Sequence, residues 1–113
     1  MEFRASHRFA PVSPRKVRLV IDLIRSKSAN EALEVLQFTN NRPATFIDKV
    51  LKSAIANAGL EADADALWVK TARVDDGPTW PLRWNAGPRG RAMPIRKRTS
   101  HIMIELSDEE GAA

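Results

Sequence analysis

The stretch from Gly77 to Ile102 mixes arginine, tryptophan, proline and glycine in a way that suits a polyanion with flat bases. The stretch contains no acidic residue and six cations, which are Arg83, Arg89, Arg91, Arg96, Lys97 and Arg98. Guanidinium groups bond phosphate oxygens in pairs, aromatic faces stack on bases, and glycine lets backbone approach closely. Few aliphatic side chains recur at a regular spacing, so the centre of this stretch cannot build a core. It predicts a long hairpin arm that becomes ordered against RNA.

Two features of this arm have more than one interpretation. Trp80 and Trp84 lie among prolines and arginines, so they are expected to stack on bases or to pack within the arm, whereas Trp68 is predicted to lie in the core. The run from Arg96 to Ser100 puts charge on both faces of a strand, which suits a strand between two anionic surfaces. The alternative is an edge strand that its charges protect from aggregation.

Positive charge is concentrated in two segments of the 113-residue chain. Overall, 18 Lys and Arg stand against 14 Asp and Glu, which gives a net charge of +4 and a sequence pI of about 10.0. Residues 1–18 carry +4 and residues 77–104 carry +6, whereas the chain from Glu105 onward carries −4. This asymmetry favours an anionic partner of some size.

The composition excludes several classes of function. There is no cysteine, so disulfides and thiol chemistry are excluded and a zinc site would lack its commonest soft ligands. No apolar run approaches the roughly 20 residues that cross a bilayer, and residues 1–10 lack the hydrophobic region of a signal peptide. We expect one soluble cytoplasmic domain with no membrane partner, cofactor or small-molecule substrate.

An enzyme is disfavoured because its best catalytic candidates lack partners. Asp63, Asp65, Asp75 and Asp76 could form a carboxylate cluster for metal-dependent phosphoryl chemistry, but they are better explained as a solvated loop and a turn. His7 and His101 each lie in a strand-like segment beside cations, where packing or phosphate contact is more common than general-base catalysis. No nucleophile motif, P-loop or dinucleotide fingerprint is present. The sequence predicts no catalytic residue and no metal ligand.

Alternation and helix signals place the elements of the first half of the chain. Residues 2–12 predict a strand, because Phe3, Ala5, His7 and Phe9 alternate with Arg4, Ser6 and Arg8. Ser13-Pro14 predicts the start of a first helix, whose apolar face is Val17, Val20, Ile21 and Ile24. Arg15 and Lys16 lie in its first turn, where the helix dipole disfavours cations. We interpret them as phosphate contacts rather than as an ordinary solvated turn.

Two more helices and two strands complete the predicted fold. A capping box at residues 28–31 opens the second helix, in which Ala32, Leu33, Val35 and Leu36 face inward and which Phe38 closes. The turn at residues 40–43 caps the third helix, with apolar residues Ile47, Val50, Leu51, Ala54 and Ala58 and a stop at Gly59. After an acidic loop at residues 61–66, a strand is predicted over residues 67–75. The chain leaves this strand through residues 75–78. The return strand spans about residues 95–106, with Ile102, Ile104 and Leu106 on one face and Thr99, His101 and Met103 on the other.

Blocks along the chain resemble the family of large-subunit ribosomal protein number twenty-two. They are residues 12–20 (VSPRKVRLV), residues 31–33 with 35–38, residues 50–54 with 56–58, residues 74–78 (VDDGP), and residues 90–92 with 95–102 (IRKRTSHI). They occur in the family's order and cover nearly the whole chain. The resemblance implies an α+β fold, with three helices packed on a small antiparallel sheet and a long protruding β-hairpin arm. It implies a single domain over residues 1–113, with a globular part at about 1–76 and 100–113 and the arm at about 77–99.

The resemblance also implies a function and partners. The family is not enzymatic: it binds large-subunit (23S) ribosomal RNA, acts early in subunit assembly and has neighbouring large-subunit ribosomal proteins as partners. Its arm lines the nascent-peptide exit tunnel, so the nascent peptide is a further implied partner. The expected RNA-binding residues are Arg4, Arg8, Arg15, Lys16, Arg18, Arg83, Arg89, Arg91, Arg96, Lys97, Arg98, Thr99, Ser100 and His101. The expected tunnel tip is Trp84, Asn85, Ala86, Gly87, Pro88 and Arg89, where this chain departs from the family's more basic segment.

Three other functions remain open from the residues alone. A nucleic-acid chaperone or DNA-binding protein would bind generic duplex, and a metal-dependent phosphoesterase would bind a divalent ion at the aspartates. A protein-docking module would bind its partner with little dependence on salt.

Overall fold

The first strand, β1, spans Glu2–Ala10 and follows the predicted period-two alternation. The structure is a computed structural model that describes residues 2–59 and 66–108. Phe3, Ala5 and His7 are half-buried and the residues between them are exposed, as the alternation predicts. Phe9 departs from the pattern, because it is 57% exposed. Its φ is 60°, and the pairing of β1 shifts register between His7 and Ala10. This bulge turns Phe9 outward.

Helix α1 spans Pro14–Ile21, as its start signals predict. Ser13 has the extended backbone of an N-cap, although its side chain makes no capping hydrogen bond. Val17, Val20 and Ile21 are buried, and so is Ile24 in the turn that follows. The apolar face is therefore the predicted one.

Helices α2 (Ala29–Phe38) and α3 (Arg42–Ala58) begin at side-chain caps. The Ser28 hydroxyl accepts a 3.3 Å hydrogen bond from the Glu31 backbone N–H, and the Asn41 carboxamide oxygen accepts one of 3.2 Å from Ala44. Helix α3 ends at Gly59, whose φ of 84° favours glycine. The predicted apolar faces are confirmed in part: Ala32 and Leu36 of α2 and Ile47, Val50, Leu51 and Ala54 of α3 are buried, whereas Leu33, Val35 and Ala58 are only half-buried.

The other two strands, β2 (Trp68–Ala86) and β3 (Ala92–Ser107), form an antiparallel sheet with β1 in the order β1-β3-β2. Strand β3 is central, and its alternate residues Ile102, Ile104 and Leu106 are fully buried. They lie in one cluster with the buried residues of the three helices. The predicted class, three helices packed on a small antiparallel sheet, is confirmed.

Two expectations about the strands were wrong in detail. Strand β2 does not end at Asp75 but continues through Pro78 and Pro81, and β3 begins at Ala92 rather than Ile95. Proline is tolerated at these positions because β2 is an edge strand that pairs only with β3, so an N–H missing from its open side breaks no ladder bond. Register shifts between Asp76 and Thr79 and between Pro81 and Arg83 absorb the irregularity.

Trp68 is half-buried and lies outside the buried core, contrary to expectation. Its neighbours Leu67 and Val69 fill that part of the core instead. The backbone at Trp68 bridges to Ser28, which ties the start of β2 to the residues before α2.

The paired strands give the molecule an elongated shape. It measures 63 × 24 × 21 Å, and its radius of gyration is 17.1 Å. A compact chain of this length would have a radius of about 13 Å. The excess reflects the β2–β3 hairpin, which continues beyond the end of β1.

Some predicted features fall outside the described residues. They are most of the acidic loop, with Asp63 and Asp65, and the acidic tail after Asp108. Of the helices in residues 2–59 and 66–108, none has the length and apolar character that a membrane span requires.

Candidate nucleic-acid interface

The described cations divide into those with an acidic partner and those without one. Ion pairs between described residues include Arg18–Asp76, Arg25–Asp22, Lys52–Asp48, Lys70–Glu2 and Arg73–Asp75. Of the predicted RNA-binding cations whose side chains are described, Arg18 alone is among them. The others are exposed and form no ion pair with any described residue: Arg4, Arg8, Arg15, Lys16, Arg89, Arg91, Lys97 and Arg98. Their charge is therefore available to an anion from solution.

Arg18 is positioned by the protein itself. Its Nη2 donates a 3.1 Å hydrogen bond to the carbonyl of Val74 and lies 3.5 Å from Oδ1 of Asp76. These contacts attach α1 to β2 where the arm begins. Its side chain remains 52% exposed, so part of the guanidinium is still accessible.

Arg15 and Lys16, in the first turn of α1, have a setting that favours anions. That turn contains no acidic residue, and Ser13 does not cap it with its side chain. The helix dipole and the two cations therefore attract an anion together.

The run Thr99-Ser100-His101 is largely engaged inside the protein. The Thr99 hydroxyl donates a 2.8 Å hydrogen bond to the Pro78 carbonyl. Ser100 is fully buried, because it shares the inward face of β3 with Ile102, and its Oγ has no hydrogen-bond partner among the described residues. Nδ1 of His101 accepts a 3.0 Å hydrogen bond from the Phe9 N–H. Ser100 offers no surface to RNA, so we leave it out of the contact set.

His101 nevertheless borders an open cleft beside the bulge of β1. Arg4, Arg8 and Arg73 line the same cleft, together with Asp75. The structure therefore brings three predicted RNA-binding residues, Arg4, Arg8 and His101, to one place. Arg73 is less available, because Asp75 pairs with it at 3.1 Å.

The hairpin turn lies slightly beyond the predicted tip. Trp84, Asn85 and Ala86 belong to β2, opposite Pro94, Met93 and Ala92. The turn runs from Gly87 to Arg91 and is closed by a 2.6 Å hydrogen bond from the Gly87 N–H to the Arg91 carbonyl. Arg89 and Gly90 turn the chain, with φ values of 57° and 72°, so Arg89 and Arg91 are exposed at the end of the arm. The side chains of residues 80–86 and 94–96, including Trp80, Arg83, Trp84 and Arg96, are outside the described part.

Sequence reasoning missed Arg42. This residue lines a cleft together with Lys16 of α1 and with Lys97 and Arg98 of β3. Its guanidinium carbon lies 5.6 Å from the centroid of the Phe46 ring. The available signal was a cation in the first turn of a helix that has no acid there, as at Arg15 and Lys16.

The aspartates proposed as a metal cluster have other partners where they are described. Asp75 pairs with Arg73 and Asp76 with Arg18. Within residues 2–59 and 66–108, no group of three or more His, Asp or Glu side chains is arranged to hold a metal ion.

Comparison with known proteins relates this sequence to one family. The family model described as "Ribosomal protein L22p/L17e" matches residues 5–107. The chain belongs to the ribosomal protein L22p/L17e family. It is 51% identical over 113 residues to large ribosomal subunit protein uL22 of Thermus thermophilus, covering 98% of this chain and 99% of the relative. The proteins of the same name from Pelotomaculum thermopropionicum and Fusobacterium nucleatum are 47% and 50% identical, each over 97% of this chain and over 98% and 100% of their own lengths.

Membership of the L22p/L17e family confirms the resemblance seen in the sequence blocks. The chain is a structural constituent of the large ribosomal subunit and not an enzyme. Its place is the ribosome in the cytoplasm, among ribosomal RNA and other ribosomal proteins.

Proposed function

We propose that this protein binds large-subunit (23S) ribosomal RNA directly, by neutralising phosphates and by fitting the shape of folded RNA. The observation that supports this most is the set of eight exposed cations that have no acidic partner among the described residues, on β1, the start of α1 and the arm. Cations that served only solubility would be expected to mix with acids, as those paired with Asp22 and Asp48 do. Ribosomal RNA offers phosphates on several sides at once, which suits cations spread over both body and arm.

The arm is the element that reaches furthest into its partner. Between Ser100 and the hairpin turn the arm has only two strands, and residues 88–93 are all exposed. A two-stranded ribbon is only marginally stable in water, so we expect RNA to order the arm on binding. Contacts from both the body and the arm would join separate RNA segments, and this supports a role early in subunit assembly.

The turn from Gly87 to Arg91 is proposed to line the nascent-peptide exit tunnel and to meet the nascent peptide. The support is family membership together with a turn that carries exposed Arg89 and Arg91 at the end of a long hairpin. A photo-cross-linker introduced at Arg89 in ribosomes carrying a stalled peptide should label that peptide. The same cross-linker at Lys49, on the exposed side of α3, should not, and equal labelling from both positions would contradict the placement.

The direct test of RNA recognition is binding of the intact chain, and of a variant lacking residues 80–93, to large-subunit ribosomal RNA and to an unrelated RNA of equal length. The proposal expects the intact chain to prefer the ribosomal RNA and the deletion to weaken that preference. Equal binding of both RNAs, unchanged by the deletion, would instead indicate a general polyanion binder.

A further inference from the structure

One cleft brings cations from three elements to the base of the arm. We call it the cationic notch and define it by Lys16 of α1, Arg42 of α3, and Lys97 and Arg98 of β3. No acidic residue is among the described residues that line it, and none of the four cations forms an ion pair with a described residue. Like charges held together repel one another, so the notch attracts a counter-anion with several oxygen atoms.

Arg42 is held in place before any ligand arrives. Its guanidinium carbon lies 5.6 Å from the centroid of the Phe46 ring, one helical turn further along α3. Phe46 in turn lies against His7 of β1, with 5.7 Å between the ring centroids. A guanidinium against a ring keeps its N–H groups directed outward in its own plane, where they can pair with two oxygen atoms of one phosphate.

The position of the notch gives such a ligand a mechanical consequence. Lys16 and Arg42 belong to the helical body, whereas Lys97 and Arg98 belong to the strand that leaves it. At this level the third strand ends, because the last pair of β1 is Ala10 with Ser100, and β2 shifts register between Asp76 and Thr79. An anion bound by both pairs of cations would therefore link the body to the arm across the point where the sheet narrows.

We infer that the cationic notch binds a phosphodiester of the RNA backbone, and that this contact fixes the direction of the arm relative to the body. The inference rests on the proposed RNA-binding function and adds a specific seat to it, with Arg42 as its main determinant. A diester that continues into neighbouring nucleotides suits an open cleft between exposed side chains. Free phosphate or polyphosphate shares the same oxygen chemistry and is distinguished in the test.

The first measurement is affinity for large-subunit ribosomal RNA over a range of salt concentrations. Arg42→Ala should weaken binding roughly tenfold and make the log–log salt slope shallower by roughly 0.7–0.9, the loss expected for one phosphate contact. Lys16→Ala, on a different helix, should behave in the same way. Lys49→Ala is the matched control, because Lys49 is an exposed cation on the same helix as Arg42 that forms no ion pair with a described residue and does not line the notch.

The second measurement follows the direction of the arm. Because the chain has no cysteine, Glu34→Cys in α2 and Met93→Cys in the arm provide a unique pair of spin-label sites, both exposed. Ribosomal RNA should narrow the distance distribution between the labels. Adding Arg42→Ala should leave it broad even at RNA concentrations that saturate binding, whereas adding Lys49→Ala should not.

The outcomes separate the two proposals. If Arg42→Ala and Lys16→Ala match Lys49→Ala in affinity, slope and distance, the notch inference is wrong while RNA binding stands. If tripolyphosphate alone narrows the distances as well as RNA does, the ligand is a free polyphosphate and the inference is also overturned. If the chain without notch substitutions shows no preference for ribosomal RNA, the proposed function itself has failed. Circular dichroism of each variant checks that α3 is intact.

Discussion

The backbone N–H of Phe9 donates a 3.0 Å hydrogen bond to Nδ1 of His101, and the two rings meet edge to face with 5.0 Å between their centroids. The bond joins two residues that are 92 positions apart and holds the bulge of β1 against the central strand. It also stabilises Phe9 in a left-handed backbone conformation that few residues other than glycine adopt.

This bond predicts the tautomer of His101. A nitrogen that accepts a hydrogen bond carries no proton, so the neutral ring must be protonated at Nε2. Nitrogen-15 NMR of the free protein should therefore show the His101 ring as the Nε2–H form. His101→Phe should lower the free energy of unfolding by about 1 kcal/mol, the usual value of one hydrogen bond. His7→Phe is the control, because the His7 ring contacts Phe46 and forms no hydrogen bond with a described residue; an equal loss in both variants would contradict the assignment.

At the junction of the arm with the body, Thr99 leaves no room for a side chain at Gly77. A Cβ at this position would overlap the Thr99 hydroxyl and lie 3.1 Å from the Thr99 carbonyl. Gly77→Ala should break the bond from Thr99 to Pro78 and destabilise the protein by about 1–3 kcal/mol. Adding Thr99→Ala should restore part of that loss in a double-mutant cycle measured by chemical denaturation. Additive losses would show that the two residues do not interact.

Ser100 and Arg98 lie two residues apart on β3 and should respond in opposite ways. Ser100 is fully buried and its hydroxyl has no hydrogen-bond partner among the described residues, so Ser100→Ala should leave stability unchanged or raise it, and RNA affinity should be unaffected. Arg98→Ala should leave stability nearly unchanged and weaken RNA binding. Thermal unfolding and RNA titration of both variants test this contrast. Weaker RNA binding by a folded Ser100→Ala variant would return Ser100 to the contact set.

Arg18 is a cation that stabilises the fold, whereas Arg15 is proposed to be one that is available to RNA. Arg18→Ala removes the bond to the Val74 carbonyl and the exposed pair with Asp76, so we expect a loss of about 1–2 kcal/mol in unfolding free energy. Arg15→Ala removes no described contact, so stability should stay within about 0.5 kcal/mol while RNA affinity falls. Denaturation and RNA titration of the pair measure both effects, and equal stability losses would refute the distinction.

The elements that the sequence predicted well are those whose signals are local. The alternation in β1, the caps of α2 and α3 and the buried row Ile102, Ile104 and Leu106 all follow from side chains within a few residues of one another. The burial of Ser100 could also have been predicted, because residues two apart on a strand share a face and Ser100 is two residues before Ile102. It was assigned to RNA binding instead because it follows the basic run Arg96-Lys97-Arg98.

The features that the sequence did not predict depend on distant partners. Strand β2 passes through Pro78 because it lies at the edge of the sheet, where the missing N–H has no partner strand, and no local pattern records the strand order that puts it there. Arg42 joins the cationic notch because the starts of α1 and α3 meet beside β3, which no local pattern records. Trp68 lies outside the core for a similar reason. Its backbone bridges to Ser28, which is distant in the sequence, and Leu67 and Val69 are buried in its place.

The central claim is that exposed, unpaired cations attract this protein to ribosomal RNA by neutralising phosphates. The measurement that tests it most directly is the affinity of the intact chain for large-subunit ribosomal RNA as a function of salt concentration. If the body and arm together neutralise about six phosphates, the log–log slope should be roughly −4 to −5. A slope near zero would contradict the account, because it would mean that phosphate contact is not the main attraction.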